Sequence, residues 1–81
     1  MVTFDCDDEF KKSLEKMDNS RKPAAKKQIK KILNNPKVGK PMRNIRKGTR
    51  ELYLSPWRLS YYYDEENDYV LFLAIYHKKK Q

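Results

Sequence analysis

The spacing of apolar positions changes along the chain, and each change marks an element. From Val2 to Cys6 the more apolar residues Val2, Phe4 and Cys6 alternate with Thr3 and Asp5, a period of two that suits a short strand. Beyond Asp7 the period lengthens, and Phe10, Leu14 and Met17 fall on one helical face. Asp7 stands where a cap belongs, and Asp8 and Glu9 fill the first turn, where negative charge suits the helix dipole. This helix is expected to end near Asn19. Ser20 is placed to cap a second helix with Pro23 in its first turn. Ala25, Ile29, Ile32 and Leu33 form its apolar stripe, and Asn34-Asn35-Pro36 stops it.

Between Asn35 and Gly48, Pro36, Gly39, Pro41 and Gly48 interrupt regular structure, which predicts a long connection tacked to the core by Val38, Met42 and Ile45. The remainder reads as three strands, roughly Thr49–Leu54, Trp57–Tyr63 and Tyr69–His77. A tight Ser55-Pro56 connection and a polar turn from Asp64 to Asp68 join them. Alternation assigns Leu52, Leu54, Leu59, Tyr61 and Tyr63 to a helix-packed face and Glu51, Tyr53, Arg58, Ser60 and Tyr62 to the other. The last strand is apolar on both faces, so it is expected inside the sheet. The expected fold class is α+β: a short N-terminal strand and two helices packed on an antiparallel sheet completed by a C-terminal three-strand meander. With 81 residues there is interior for one core, so residues 1–81 form a single domain.

Composition sharpens this picture. Hydrophobic residues make up 38% of the chain and charged ones 37%, so the few apolar positions must be well placed, or a partner must share the burial. The single cysteine, Cys6, rules out an internal disulfide and a Cys/His metal cluster and points to a reducing compartment. The longest apolar run, Tyr69 to Tyr76, is too short for a signal h-region or a membrane span, so a cytoplasmic protein is expected. Nineteen Lys and Arg against eleven Asp and Glu give a net charge of +8. From Phe10 to Arg50 there are fifteen bases against only Glu15 and Asp18. Such a field favours nucleic acid or an acidic protein as partner. The same charge also fits a merely solvated surface, as in heat-adapted proteins. Lys22, Lys26, Lys27, Lys30 and Lys31 on the second helix fit that reading best, whereas the connection carrying Lys37, Lys40, Arg43, Arg46 and Lys47 can form the rim of a cleft.

The unusual residues collect on the sheet face that two helices leave uncovered. Arg58 lies inside a strand, where a charge is costly without a partner; a guanidinium there can grip a phosphate bidentately or pair with Glu51 on the neighbouring strand. Arg50, Tyr53, Tyr62 and the C-terminal bases can converge on the same region, where tyrosines stack on bases. His77 is the only histidine and stands beside Lys78 and Lys79, which makes it a candidate general acid or base or, equally, an exposed strand end. No Gly-rich phosphate loop, paired-carboxylate site or metal-ligand spacing competes with this basic cluster.

Taken in order, DEFKKSLEKM, NNPKVGKPM followed by KGTREL, WRLSYYY and the ending LAIYHKKK resemble the RelE/ParE superfamily of type II toxin–antitoxin systems, in its RelE-like branch. The resemblance spans nearly the whole chain. It implies a toxin that cleaves messenger RNA on the ribosome without metal or cofactor and inhibits translation. A cognate antitoxin would hold it inactive, in an assembly such as a toxin–antitoxin heterotetramer. By this resemblance Arg58 in WRL is the phosphate-stabilising arginine, and His77, Lys78 and Lys79 stand for the terminal basic motif. Glu51 and Tyr53 occupy positions where many RelE-like enzymes carry basic side chains, with Arg50 one place earlier, so Glu51 is a further candidate base. No tyrosine follows the terminal motif; Tyr53, Tyr62 or Tyr76 could take its stacking role. The expected catalytic set is Arg58, His77, Glu51 and Lys79, and the expected RNA-binding set is Arg50, Tyr53, Tyr62, Lys47 and Lys78. A ParE-like gyrase inhibitor and a non-catalytic antitoxin- or RNA-binding module of the same fold are the alternatives.

Overall fold

Short apolar stripes fix each element to a shared core. The computed structural model describes residues 2–42, 48–54 and 56–77. Strand β1 (Thr3–Cys6) leads into helix α1 (Asp8–Lys16), followed by helix α2 (Lys22–Asn34), a two-residue strand β2 (Lys40–Pro41), and strands β3 (Thr49–Leu54), β4 (Trp57–Asp64) and β5 (Tyr69–His77). In α1 Phe10 is buried, and Met17 turns into extended backbone just after the helix while its side chain stays buried. That turn ends the helix before Asn19. Asp7 occupies the cap position, but its side chain caps nothing; its N–H instead donates to the Phe72 carbonyl at 2.9 Å, prolonging the contact of β1 with β5. Helix α2 starts after Arg21 rather than Ser20. The Asp18 carbonyl accepts from the N–H groups of Arg21 and Lys22, and Pro23 sits in the first turn, where a missing N–H costs nothing. Ala25 and Ile32 are fully buried beneath it.

The strands form one five-stranded sheet in the order β1-β5-β4-β3-β2. Strands β2 to β5 run antiparallel to their neighbours, but β1 pairs parallel to β5, with Phe4 opposite Val70 and Cys6 opposite Phe72. The sheet is therefore mixed, not purely antiparallel. Alternation predicts which face a residue takes and carries no information about strand direction. The connection from Asn35 to Gly48 is also more regular than its prolines and glycines imply, since Lys40 and Pro41 pair with Glu51 and Arg50. Ile45, Ser55 and the residues from 78 onward lie outside the described residues.

The core lies between the helices and one sheet face. Phe10, Ala25 and Ile32 meet Leu59, Tyr61, Val70, Phe72 and Ile75 there, with Leu52, Leu54 and Tyr63 packed at its margin. Phe10 and Phe72 stack with ring centroids 5.2 Å apart. Strand β5 lies between β1 and β4, as its apolar character on both faces requires. A bulge interrupts its pairing with β4: Ser60 faces Ala74, but Tyr61 faces Phe72, leaving Leu73 unopposed. The extra residue reverses the alternation, so Phe72 and Ile75 both enter the core and Tyr76 emerges on the opposite face. Among the described residues no helix is long and apolar enough to cross a membrane.

Candidate active site

The sheet face away from the helices carries the polar cluster. Pairing across β3, β4 and β5 sets Tyr53, Arg58 and Tyr76 in one row, and pairing across β2 to β5 sets Lys40, Glu51, Ser60 and Ala74 in the next. Glu51 lies diagonally between the two basic and phenolic partners. Its Oε1 accepts from Arg58 Nη1 at 3.2 Å, and its Oε2 accepts from the Tyr76 hydroxyl. The side chains of Arg58 and Glu51 are only 18% and 11% exposed, so each depends on the other to offset lost hydration. Arg58 also lies against the Tyr53 ring, its Cζ 4.7 Å from the centroid, and Lys40 Nζ lies 5.9 Å from the same centroid. Tyr53 itself is 54% exposed.

The loop before β2 is built to place Lys40. The buried Tyr61 hydroxyl donates to the Pro36 carbonyl at 2.6 Å and accepts the Gly39 N–H at 3.0 Å. Burial pushes that phenol above its ordinary pKa. Gly39 has no room for a side chain, because a Cβ would stand 2.7 Å from the Tyr61 hydroxyl and 2.9 Å from the Glu51 carbonyl. Arg50 completes the clamp from the helix-side face, donating Nη1 to the carbonyls of Gly39 at 2.7 Å and Lys37 at 3.2 Å.

Of the residues singled out from the sequence, the structure thus brings together Arg58, Glu51 and Tyr53. Arg50 faces the other way and holds the loop. His77 pairs with Trp57, its ring edge-on to the indole at 5.3 Å, one position out of phase with Tyr76 and the Arg58 cluster. Tyr62 is on the open face opposite Thr49 and Leu71, its ring closely packed over Gly48, two rows from Arg58. Lys47, Lys78 and Lys79 lie outside the described residues. The sequence offers Tyr76 only as a stacking candidate and Lys40 only as one of five cations on the rim of a cleft. The signal for Tyr76 was hidden by the bulge, and that for Lys40 by a strand of two residues.

The cluster joins the Arg58 cation, the Glu51 carboxylate and the phenols of Tyr76 and Tyr53, the latter exposed. It can bind an anion through Arg58, move a proton at Glu51, and stack a planar group on Tyr53.

Comparison places this frame among known toxins. RelBE2 of Mycobacterium tuberculosis, solved as a toxin–antitoxin complex, superposes with a TM-score of 0.81 at 25% identity, covering 95% of this chain and 98% of that one. The isolated RelE toxin of E. coli gives a TM-score of 0.81 at 20% identity, over 95% and 84% of the two chains. The archaeal RelE–RelB complex from Pyrococcus horikoshii OT3 gives 0.76 at 8% identity, over 99% and 98%. The fold is therefore that of RelE-like toxins. The model of the ParE toxin of the type II toxin–antitoxin system, parDE, matches residues 5–81, and the chain belongs to that family. It is a type II toxin with a RelE-like fold. No curated protein sequence matches it significantly.

Proposed function

We propose that this toxin is a ribosome-dependent messenger RNA endoribonuclease, acting from the open sheet face to inhibit translation. The observation that carries the reading is the row Tyr53-Arg58-Tyr76 beside Glu51, which supports it by gathering a guanidinium, a carboxylate and an exposed aromatic ring on one sheet face. In the reaction the ribose 2′-hydroxyl attacks the adjacent phosphorus while losing its proton. The P–O5′ bond then breaks, leaving a 2′,3′-cyclic phosphate, and the departing 5′-oxygen takes up a proton from water. Arg58 stabilises the charge that accumulates on the phosphorane oxygens. Glu51 accepts the 2′ proton once the substrate phosphate draws Arg58 away from it. Tyr53 stacks a neighbouring base. His77 is less favourably directed for proton transfer than Glu51, since it is out of phase with the row. Lys79, Lys78 and Lys47 are proposed to add cationic contacts to the RNA backbone. A cognate antitoxin, as in the RelB-bound relatives, is the proposed inhibitory partner, and the cytoplasm the proposed site of action.

Expression of the wild type and of Arg58→Ala, followed by mapping of messenger RNA ends, tests the reading. New ends on translated messages should accumulate with the wild type and disappear with the variant. A second reading, inhibition of DNA gyrase, is favoured by the ParE family match and by the carboxylate already paired with Arg58. Loss of supercoiling activity by purified gyrase, undiminished by Arg58→Ala and with no new RNA ends, would select it.

A further inference from the structure

We infer that the cleft between α2 and the β2–β3 edge is a nucleotide subsite, which receives the RNA residue adjoining the cleaved linkage through Lys31 and Lys40. This rests on reading the open face as an RNA surface. The cleft has a volume of about 220 Å³, with Val38 and Leu52 as its apolar floor and Lys31 and Lys40 at its mouth. Both lysines are exposed. The volume falls below the ~300–1,000 Å³ of sites for drug-sized ligands, and it suits one planar base better than a peptide segment. Glu51 and Tyr53 form the wall shared with the Arg58 cluster, so cleft and cluster are continuous. Gln28 steadies that wall by donating from Nε2 to the Tyr53 carbonyl at 3.2 Å.

The Tyr53 ring links the two sites. Arg58 on β4 and Lys40 on β2 approach the same exposed ring from opposite sides of β3, at 4.7 and 5.9 Å from its centroid. A single strand with one phosphate at Arg58 can stack a base on Tyr53 and bring its next phosphate to Lys40. Stacking platforms bordered by cations bind single-stranded RNA with little dependence on sequence. An acidic protein segment would satisfy the lysines but not the ring and the apolar floor together.

The test is fluorescence anisotropy of the purified full chain with a short single-stranded RNA, methylated at its 2′-oxygens so that it cannot be cut. Lys31→Glu with Lys40→Glu should weaken binding at least tenfold and flatten its dependence on salt. Lys12→Glu with Lys16→Glu makes the same change in net charge on exposed α1 positions and should weaken binding less than threefold. Equal losses in the two pairs, or unchanged affinity in the first, overturn the subsite. So does a first pair that loses affinity for a poly-glutamate peptide while retaining it for RNA. Turnover is separable from this result. A chain that binds this RNA through Lys31 and Lys40 yet never cuts messages supports the subsite and overturns the nuclease reading; normal cutting with both lysines reversed does the opposite.

Discussion

At the scale of single residues, the Glu51 carboxylate is the pivot, because both of its oxygens already accept hydrogen bonds. Removing Arg58 leaves a mostly buried carboxylate short of a partner. Arg58→Ala is therefore expected to lower stability by about 1–3 kcal/mol as well as activity. Glu51→Gln separates the two effects. It removes the competing negative charge, so binding of uncleavable RNA should tighten several-fold while single-turnover cleavage falls at least a hundredfold. Unchanged cleavage would remove Glu51 from the proton transfer. Tyr61 is a structural counterpart. Tyr61→Phe strands the Gly39 N–H and the Pro36 carbonyl, at a cost of about 1–3 kcal/mol in urea unfolding. Because burial raises the phenol's pKa in the folded state, its contribution is complete below the unfolded tyrosine value and is lost as pH rises through the folded one. The stability gap between wild type and Tyr61→Phe should accordingly narrow above about pH 10. Alternation alone identified the face shared by Glu51, Tyr53 and Arg58. It could not place Tyr76 and His77, since one unopposed residue at Leu73 exchanges the faces of everything after it.

At the scale of elements, the helical stripes were legible and the helix ends were not. Phe10, Ala25 and Ile32 are buried as their spacing demands, but Met17 ends α1 early and backbone carbonyls rather than Ser20 start α2. Local sequence offers several possible caps, and packing chooses among them. Phe10→Ala should cost about 3–5 kcal/mol, because α1 has no other fully buried residue with which to hold Phe72. The β4–β5 turn is held differently. The Asp64 carboxylate accepts from Asn67 Nδ2 at 2.7 Å, and this bond lowers its pKa. A lowered folded pKa means that the stabilisation is present above the ordinary aspartate value and disappears as pH falls through the folded one. Asp64→Asn should lower thermal stability slightly at neutral pH and leave it little changed in strong acid, so that the acid limb below about pH 4 flattens. An unaltered acid limb would mean that other carboxylates dominate. The exposed Lys37–Glu65 pair at 2.6 Å shares the turn region, but solvent leaves such pairs with little net effect.

At the scale of the whole molecule, the two sides of the sheet divide the labour. Helices cover one face and turn lysines outward; the other face keeps the Arg58 cluster. The parallel placement of β1 contributes by closing the far edge of β5, leaving the β2–β3 edge and its cleft beside the cluster. A net charge of +8 favours a polyanion partner, but charge counting does not say which cations would attract it and which would bind it. Position in the fold makes that distinction. Lys22, Lys26 and Lys30 recur every fourth residue on α2, away from the open face, and can act on RNA only through the long-range field. Replacing all three with Gln should slow association of RNA several-fold at low salt and have little effect near 0.5 M, where screening confines fields to about 4–5 Å. Dissociation and the saturated single-turnover rate should stay unchanged, because nothing touching the bound strand has been altered. Stopped-flow mixing at two salt concentrations measures all three quantities. A fall in the saturated rate would place these lysines in contact with substrate and make their face of α2 part of the site instead of its approach.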